Sequence, residues 1–380
     1  MEKKSLVKNV RTWIEIDKKA LAHNYSSIRS LLSPKTKLMA VVKSNAYGHG
    51  LMDFSKEVSK LGVDWLGVDS IVEAIALRKS GIAKPILVLG YTLPDMLDAA
   101  VEFDVRVTVS TFELLSAISK INFEEKLKIH IKVDTGMHRQ GFEWNDHSKL
   151  FEVLKSLEKK VIVEGLFTHF AAAKNPAFPL RTETQLKVFE GWRDLFKKEG
   201  YKPLEHASAS GGGIIYNQSH FDIVRTGIAM YGIWPAAEVK AHASRQISLE
   251  PVLSWKTMIG EMKKVRKGER VGYDFTEELK RDSVLAVCPI GYWHGFPRAL
   301  SGVGEMLVAG KRAKVVGRVS MDMVVIDITE IPGVKVGDEV VIIGKSGGEQ
   351  IFADDLASLS ETSAYEIVTR INPLIKRVIV

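Results

Sequence analysis

The chain has 380 residues, 46% of them apolar, with a single cysteine and a formal net charge of +7. That length exceeds one ordinary compact domain and suits a large domain joined to a smaller one. No stretch has the length and apolarity of a membrane span, and one cysteine makes neither an internal disulfide nor a multi-cysteine metal site.

The densest basic stretch is Lys263, Lys264, Arg266, Lys267 and Arg270, flanked or interrupted by Glu261 and Glu269. It reads as a solvated surface, and no nucleic-acid partner is expected. The mild cationic excess suits attraction of a small anionic metabolite. Residues 1–11 are basic but no apolar segment follows them, so no secretory signal is expected and a cytoplasmic location is the simplest reading.

Short apolar, β-branched runs recur at 38–44, 65–70, 85–90, 106–110, 128–135, 161–171, 205–210 and 221–232. Several are nearly continuous in apolar residues, as strands buried on both faces of a parallel sheet must be. The segments between them carry helical signals. Leu150, Val153, Leu154 and Leu157 fall on one helical stripe, Thr111 with Glu113 suits a helix start, and Pro94 with Asp95 suits another first turn. Eight β-then-α units predict a (β/α)8 barrel, with a doubly wound open sheet as the alternative.

After Gly232 the texture changes to short strands at 252–261, 283–288, 305–308, 313–319, 324–328 and 339–343, broken by Pro332-Gly333, Gly337-Asp338 and Gly347-Gly348. The reading is therefore a barrel over residues 1–245 and a mainly β domain over 246–380. The strand-like TWIEID at 12–17 is a candidate to pair with that β domain.

Lys43 follows five uncharged residues at the C-terminal end of the first barrel run, where barrel active sites are built. An ammonium desolvated there should have a lowered pKa and become a nucleophile toward an aldehyde. The plain alternative is a strand-end lysine that reaches solvent. Ser210, followed by Gly211, Gly212 and Gly213, stands after the seventh run, where barrels commonly bind phosphate.

The string VVKSNAYGHG (41–50) is similar to the cofactor-lysine motif of the alanine racemase family. The resemblance continues through KVDTGMHRQG (132–141), THFA (168–171), RTGIAMYG (225–232), VGYDF (271–275), PIGY (289–292), VGRVSMD (316–322) and AYEIVTRI (364–371). It implies a barrel with a C-terminal β domain, a homodimer with shared active sites, and pyridoxal 5'-phosphate held as an aldimine on Lys43. The implied reaction interconverts L- and D-alanine by two bases, Lys43 and Tyr273 of the partner subunit, supplying D-alanine for peptidoglycan.

By the same resemblance Arg225 faces the pyridine nitrogen and His169 orients Arg225. Tyr47, Ser210, Gly227, Ile228 and Tyr365 hold the phosphate. Arg139 and Met321 meet the substrate carboxylate, Tyr292 and Asp322 line the access passage, and Lys132 is a site of carbamylation. No metal is implied.

Five positions depart from the common pattern: His138 and Asp274 where glycine is frequent, Ala209 for asparagine, and Trp293-His294 for Ala-Asp. Other readings are a serine or broad-specificity racemase, a fold-related decarboxylase, and a non-catalytic pyridoxal-phosphate-binding protein. The decarboxylase lacks support because no matching motif surrounds Cys288. The carrier resembles the barrel alone.

Overall fold

The computed structural model describes residues 9–380; residues 1–8, which carry most of the reading on a secretory signal, lie outside the described residues. The chain divides into two compact units. One comprises residues 21–46 and 51–250, the other, among the described residues, 9–20, 47–50 and 251–380.

Strand β1 (Thr12–Ile16) belongs to the second unit. The first is built on β2 (Lys37–Val41), β3 (Trp65–Val68), β4 (Ile86–Val88), β5 (Val105–Val109), β6 (Leu127–Lys132), β7 (Val161–Phe167), β8 (Leu204–His206) and β9 (Ile223–Thr226). All seven pairings are parallel, in the order β8-β7-β6-β5-β4-β3-β2-β9. The ends of that row meet: Asp222 N donates to Glu205 O at 3.0 Å and Arg225 N to Ser208 O at 3.1 Å. The eight strands thus close a barrel, and the open-sheet alternative is excluded.

The helices follow the predicted signals. Thr111 Oγ1 accepts from Leu114 N and caps Phe112–Lys120, while Leu150, Phe151 and Leu154 are the buried stripe of His147–Ser156. Pro94 opens a 3-10 turn before Leu97–Glu102.

Inside the barrel the side chains divide by character. Met39, Trp65, Leu87 and Ile223 form an apolar cluster with Leu89 and Leu204 against it. On β6, Ile129 and Ile131 alternate with His130 and Lys132, and His130 turns inward to meet His206.

The β unit pairs β1 antiparallel with β10 (Leu253–Met258). Its further strands are β11 (Glu261–Val265), β12 (Arg270–Val271), β13 (Glu277–Glu278), β14 (Ser283–Cys288), β15 (Glu305–Val308), β16 (Lys311–Val316), β17 (Val324–Asp327), β18 (Glu339–Ser346), β19 (Glu349–Ile351) and β20 (Lys376–Ile379). The main sheet runs β11-β14-β17-β16-β15-β18-β10-β1-β20. Strand β11 stands at its edge and carries Lys263 and Lys264, so part of the basic stretch coats an open strand edge with charge and discourages pairing with other chains. Trp255 and Phe296, both fully buried, anchor the interior.

Candidate active site

The barrel unit places Lys43 directly after β2. Its side chain is 37% exposed and Nζ lies 3.0 Å from Asp69 Oδ1, so the ammonium is ion-paired and part-solvated rather than desolvated as the sequence suggested. The backbone then turns left-handed: Ser44, Asn45, Ala46 and Tyr47 have φ between 50° and 56°. Such a run costs roughly 1–2 kcal/mol per non-glycine residue. Glu73 helps to hold it, accepting Ser44 N at 2.7 Å and Asp69 N at 2.9 Å with its two carboxylate oxygens. Asn45 Oδ1 accepts Leu51 N at 2.9 Å.

Arg225, on β9, is buried and held at four points. Nη1 donates to His206 Nδ1 at 2.9 Å, and Nη2 meets Thr168 O at 2.8 Å, Ala207 O at 2.8 Å and His169 Nδ1 at 3.3 Å. His206, which sequence reasoning missed, is thus a closer ring partner than His169. Burial, then Arg139, brings the Arg225 guanidinium down to about 9, which leaves it cationic at neutrality. Burial, then Arg225, brings His169 down to about 3 and keeps that ring neutral.

Lys132 is buried at the end of β6, with Nζ 2.9 Å from Gln140 Oε1 and 5.4 Å from the centre of the Phe167 ring. Burial, then Arg139 and Arg225, lowers its amine to about 7. Arg139 follows a turn gathered by Asp134, whose carboxylate accepts the amides of Gly136, Met137 and Arg139. His138, in that turn, has φ 52°, the left-handed conformation that explains why glycine is frequent there.

Ser210 Oγ accepts Gly227 N at 2.9 Å and Ala229 N at 3.4 Å, which gathers hydroxyl and amide donors between the ends of β8 and β9; Ile228 is buried beside them. The glycines after Ser210 have a packing reason of their own. A Cβ at Gly212 would stand 2.8 Å from Ser208 Oγ, and one at Gly213 2.7 Å from Val224 Cγ1.

The remaining candidates lie in the β unit. Tyr47 and Tyr365 face each other with ring centroids 6.3 Å apart, and burial pushes the Tyr365 hydroxyl up. Gly48 fixes Tyr47 in place: its φ is 83°, a Cβ there would meet Val368 O at 1.9 Å, and its carbonyl accepts from Arg377 Nε and Nη2 at 3.1 and 2.9 Å.

Tyr273 stands on a 3-10 turn and is 69% exposed. The next residue, Asp274, has φ 59°, again where glycine is frequent, and its carboxylate pairs with Arg318 at 2.5 Å. Met321 and Tyr292 are exposed; Trp293 N donates to Met321 O at 3.0 Å, and Asp322 lies 3.9 Å from His294. Among the described residues no cluster of metal-ligating side chains occurs and no helix is long and apolar enough to cross a membrane.

A lysine at the C-terminal mouth of a (β/α)8 barrel, with buried arginine and lysine side chains and a donor-rich turn in the same unit, defines a barrel protein rich in cationic and donor groups at its strand ends. Comparison with known proteins makes this specific. The alanine racemase N-terminal domain profile matches residues 16–235 and the C-terminal domain profile residues 252–379. The chain is 38% identical to alanine racemase of Symbiobacterium thermophilum, over 96% of each chain. It is 40% identical to that of Methanococcus maripaludis, over 96% of this chain and 98% of the other. The structure of alanine racemase from Bacillus anthracis with bound L-Ala-P superposes with a TM-score of 0.91 at 36% identity, covering 97% of this chain and 95% of that one. Alanine racemase of Clostridium difficile 630 gives 0.92 at 32% identity, covering 98% and 96%. The chain belongs to the alanine racemase family of isomerases.

Proposed function

We propose that this protein interconverts L- and D-alanine with pyridoxal phosphate, as a homodimer whose sites each combine Lys43 of one subunit with Tyr273 of the other. The observation that carries the reading is Lys43 at the mouth of the barrel, in a unit that also holds Arg225, Lys132 and Arg139, in a chain matched by the family along almost its whole length.

The residues fit the cofactor. An aldehyde needs the Lys43 amine, a phosphate needs the Ser210 hydroxyl with the Gly227 and Ile228 amides, and a pyridine nitrogen is suited by the Arg225 guanidinium. Tyr47 and Tyr365 are further phosphate donors. Bound there, pyridoxal phosphate supplies the conjugated ring that accepts the electron pair left when a Cα–H bond breaks.

The chain's own groups do the rest. Inverting a centre requires proton removal on one face and delivery on the other, beyond the reach of one base. Lys43 Nζ serves the D-enantiomer and the Tyr273 hydroxyl of the partner subunit serves the L-enantiomer. Arg225 keeps its protons on Nη1 and Nη2, limits how far negative charge develops on the ring, and so disfavours transamination. Arg139 and the backbone at Met321 hold the substrate carboxylate, and Tyr292 and Asp322 line the access passage. The product supplies peptidoglycan, and the setting is the cytoplasm.

The test is racemisation of L-alanine beside L-serine and L-lysine with added cofactor, followed by chiral chromatography. Dominant conversion of alanine is expected. Preference for serine or lysine would move attention to Trp293 and His294, and no conversion of any would overturn the reading.

Lys132 yields a separate prediction. Its folded value of about 7 lies below the ordinary 10.5, so between those pH values the unfolded chain binds a proton that the folded chain lacks. Stability therefore rises with pH across that window, and the full cost, up to about 5 kcal/mol, stands below pH 7. In CO2-free buffer Lys132→Met should raise Tm most below pH 7 and lose that advantage by pH 10.5. The neutral amine is also the form that adds CO2 to give a carbamate, seen in the mass of the intact protein; Lys132→Met should not show it.

A further inference from the structure

Below Arg225 the barrel holds a row of polar side chains, buried except at the half-buried Glu164, that substrate chemistry does not use. His206 Nδ1 lies 2.9 Å from Arg225 Nη1, and His206 Nε2 lies 2.9 Å from His130 Nδ1. His130 Nε2 lies 3.4 Å from Glu164 Oε2. Arg106 grips the same carboxylate with Nε at 2.9 Å and Nη2 at 3.3 Å.

The donor inventory fixes the direction of this row. A guanidinium only donates, so His206 Nδ1 accepts and its single proton sits on Nε2. That proton points at His130 Nδ1, which must accept, leaving the His130 proton on Nε2, directed at Glu164. Burial, with Arg225 beside His206, keeps both rings neutral. Burial alone would raise the Glu164 carboxyl, but hydrogen bonds from His130 and Arg106 hold it down at about 2.

The surroundings hold both rings in place. A Cβ at Gly165 would stand 2.1 Å from His130 Nδ1, so only glycine lets the ring lie against β7. Trp65 meets the His130 ring edge-on at 5.4 Å. Phe167 stacks on His206 at 4.7 Å and 4°.

We propose that Glu164, acting through His130 and His206, is a positioning residue for Arg225: its carboxylate accepts the last proton of the row, which lets both histidines keep the tautomers that leave His206 Nδ1 free to accept from Arg225 Nη1. This deepens the reading above, in which Arg225 addresses the cofactor ring nitrogen. Losing the terminal acceptor lets the row reverse, so that His206 Nδ1 carries a proton toward Arg225 and the guanidinium must shift. A misplacement near 1 Å costs on the order of 100-fold in rate.

The test is nitrogen-15 NMR of the histidine rings in the holoenzyme, beside steady-state kinetics. In wild type, Nδ1 of both His206 and His130 should be unprotonated and Nε2 protonated; a protonated Nδ1 on either ring overturns the proposal. Glu164→Leu, which has no acceptor, should disturb the His206 pattern and lower kcat roughly 10-fold to 100-fold with KM little changed. Glu164→Asp should recover most of both. Wild-type kcat and an unchanged His206 pattern in a folded Glu164→Leu protein also overturn the proposal.

Should that variant fail to fold, His130→Asn and His130→Leu decide. The Asn Oδ1 still accepts from His206 and should keep the pattern and most of kcat, whereas Leu should lose both; equal behaviour of the two overturns the proposal. The tautomers are read without turnover, so absent racemisation would sink the functional reading while leaving this one to be judged on the NMR.

Discussion

Lys43→Ala should abolish racemisation and the visible absorbance that pyridoxal phosphate acquires when joined to the enzyme. Two losses coincide in one side chain. The amine that captures the aldehyde disappears, and so does the base on one face of the substrate. General acid–base catalysis alone contributes about 10²–10⁴-fold, and the covalent anchor adds to it. Retained activity would remove Lys43 from the mechanism.

Lys43→Arg separates charge from nucleophilicity. A guanidinium still pairs with Asp69 but does not readily give up a proton to attack a carbonyl, so this variant should be as inactive as the alanine one. Added methylamine should restore part of the Lys43→Ala activity, because a small free amine replaces the missing proton acceptor without the charge pairing.

The barrel was legible because its strands are near-continuous apolar runs, a pattern that sheets buried on both faces require. What escaped is what such a pattern hides. Strand β8 has three residues, Leu204–His206, too few for any periodicity, yet it carries the ring closest to Arg225. His130 lies 76 positions before His206, and nothing local announces their contact. One signal was available in LKIHIK, where polar residues alternate with isoleucine in a strand buried at every position but Lys128.

Strand β11 was missed for the opposite reason: EMKKV reads as surface because an edge strand is charged. Nor were Glu73 and Asp69 visible, since their role is to hold a left-handed turn that no propensity scale anticipates after a β-strand. The two departures from glycine became intelligible only through backbone angles. His138 and Asp274 occupy positive φ, which histidine and aspartate tolerate better than most side chains.

Tyr273→Phe should leave the bound cofactor absorbance intact and lower activity by about 10²–10⁴-fold in both directions, because the hydroxyl that removes a proton from the L-enantiomer also delivers one when the L-enantiomer is formed. In a single chain Tyr273 is 69% exposed and Phe275, on the same turn, is 65% exposed, apolar surface suited to burial against a second copy. If Tyr273 serves the site of the other subunit, two inactive proteins should repair each other. In a hybrid of Lys43→Ala and Tyr273→Phe subunits, one site pairs an intact Lys43 with an intact Tyr273 and the other lacks both. Random reassociation of equal amounts makes about half the dimers hybrid, each with one working site, so about a quarter of wild-type activity should return. Tyrosine acting within its own subunit would give none, since every chain then carries its own defect. The mixture therefore distinguishes a shared site from a self-contained one by the recovery of activity, independently of how far either single variant falls.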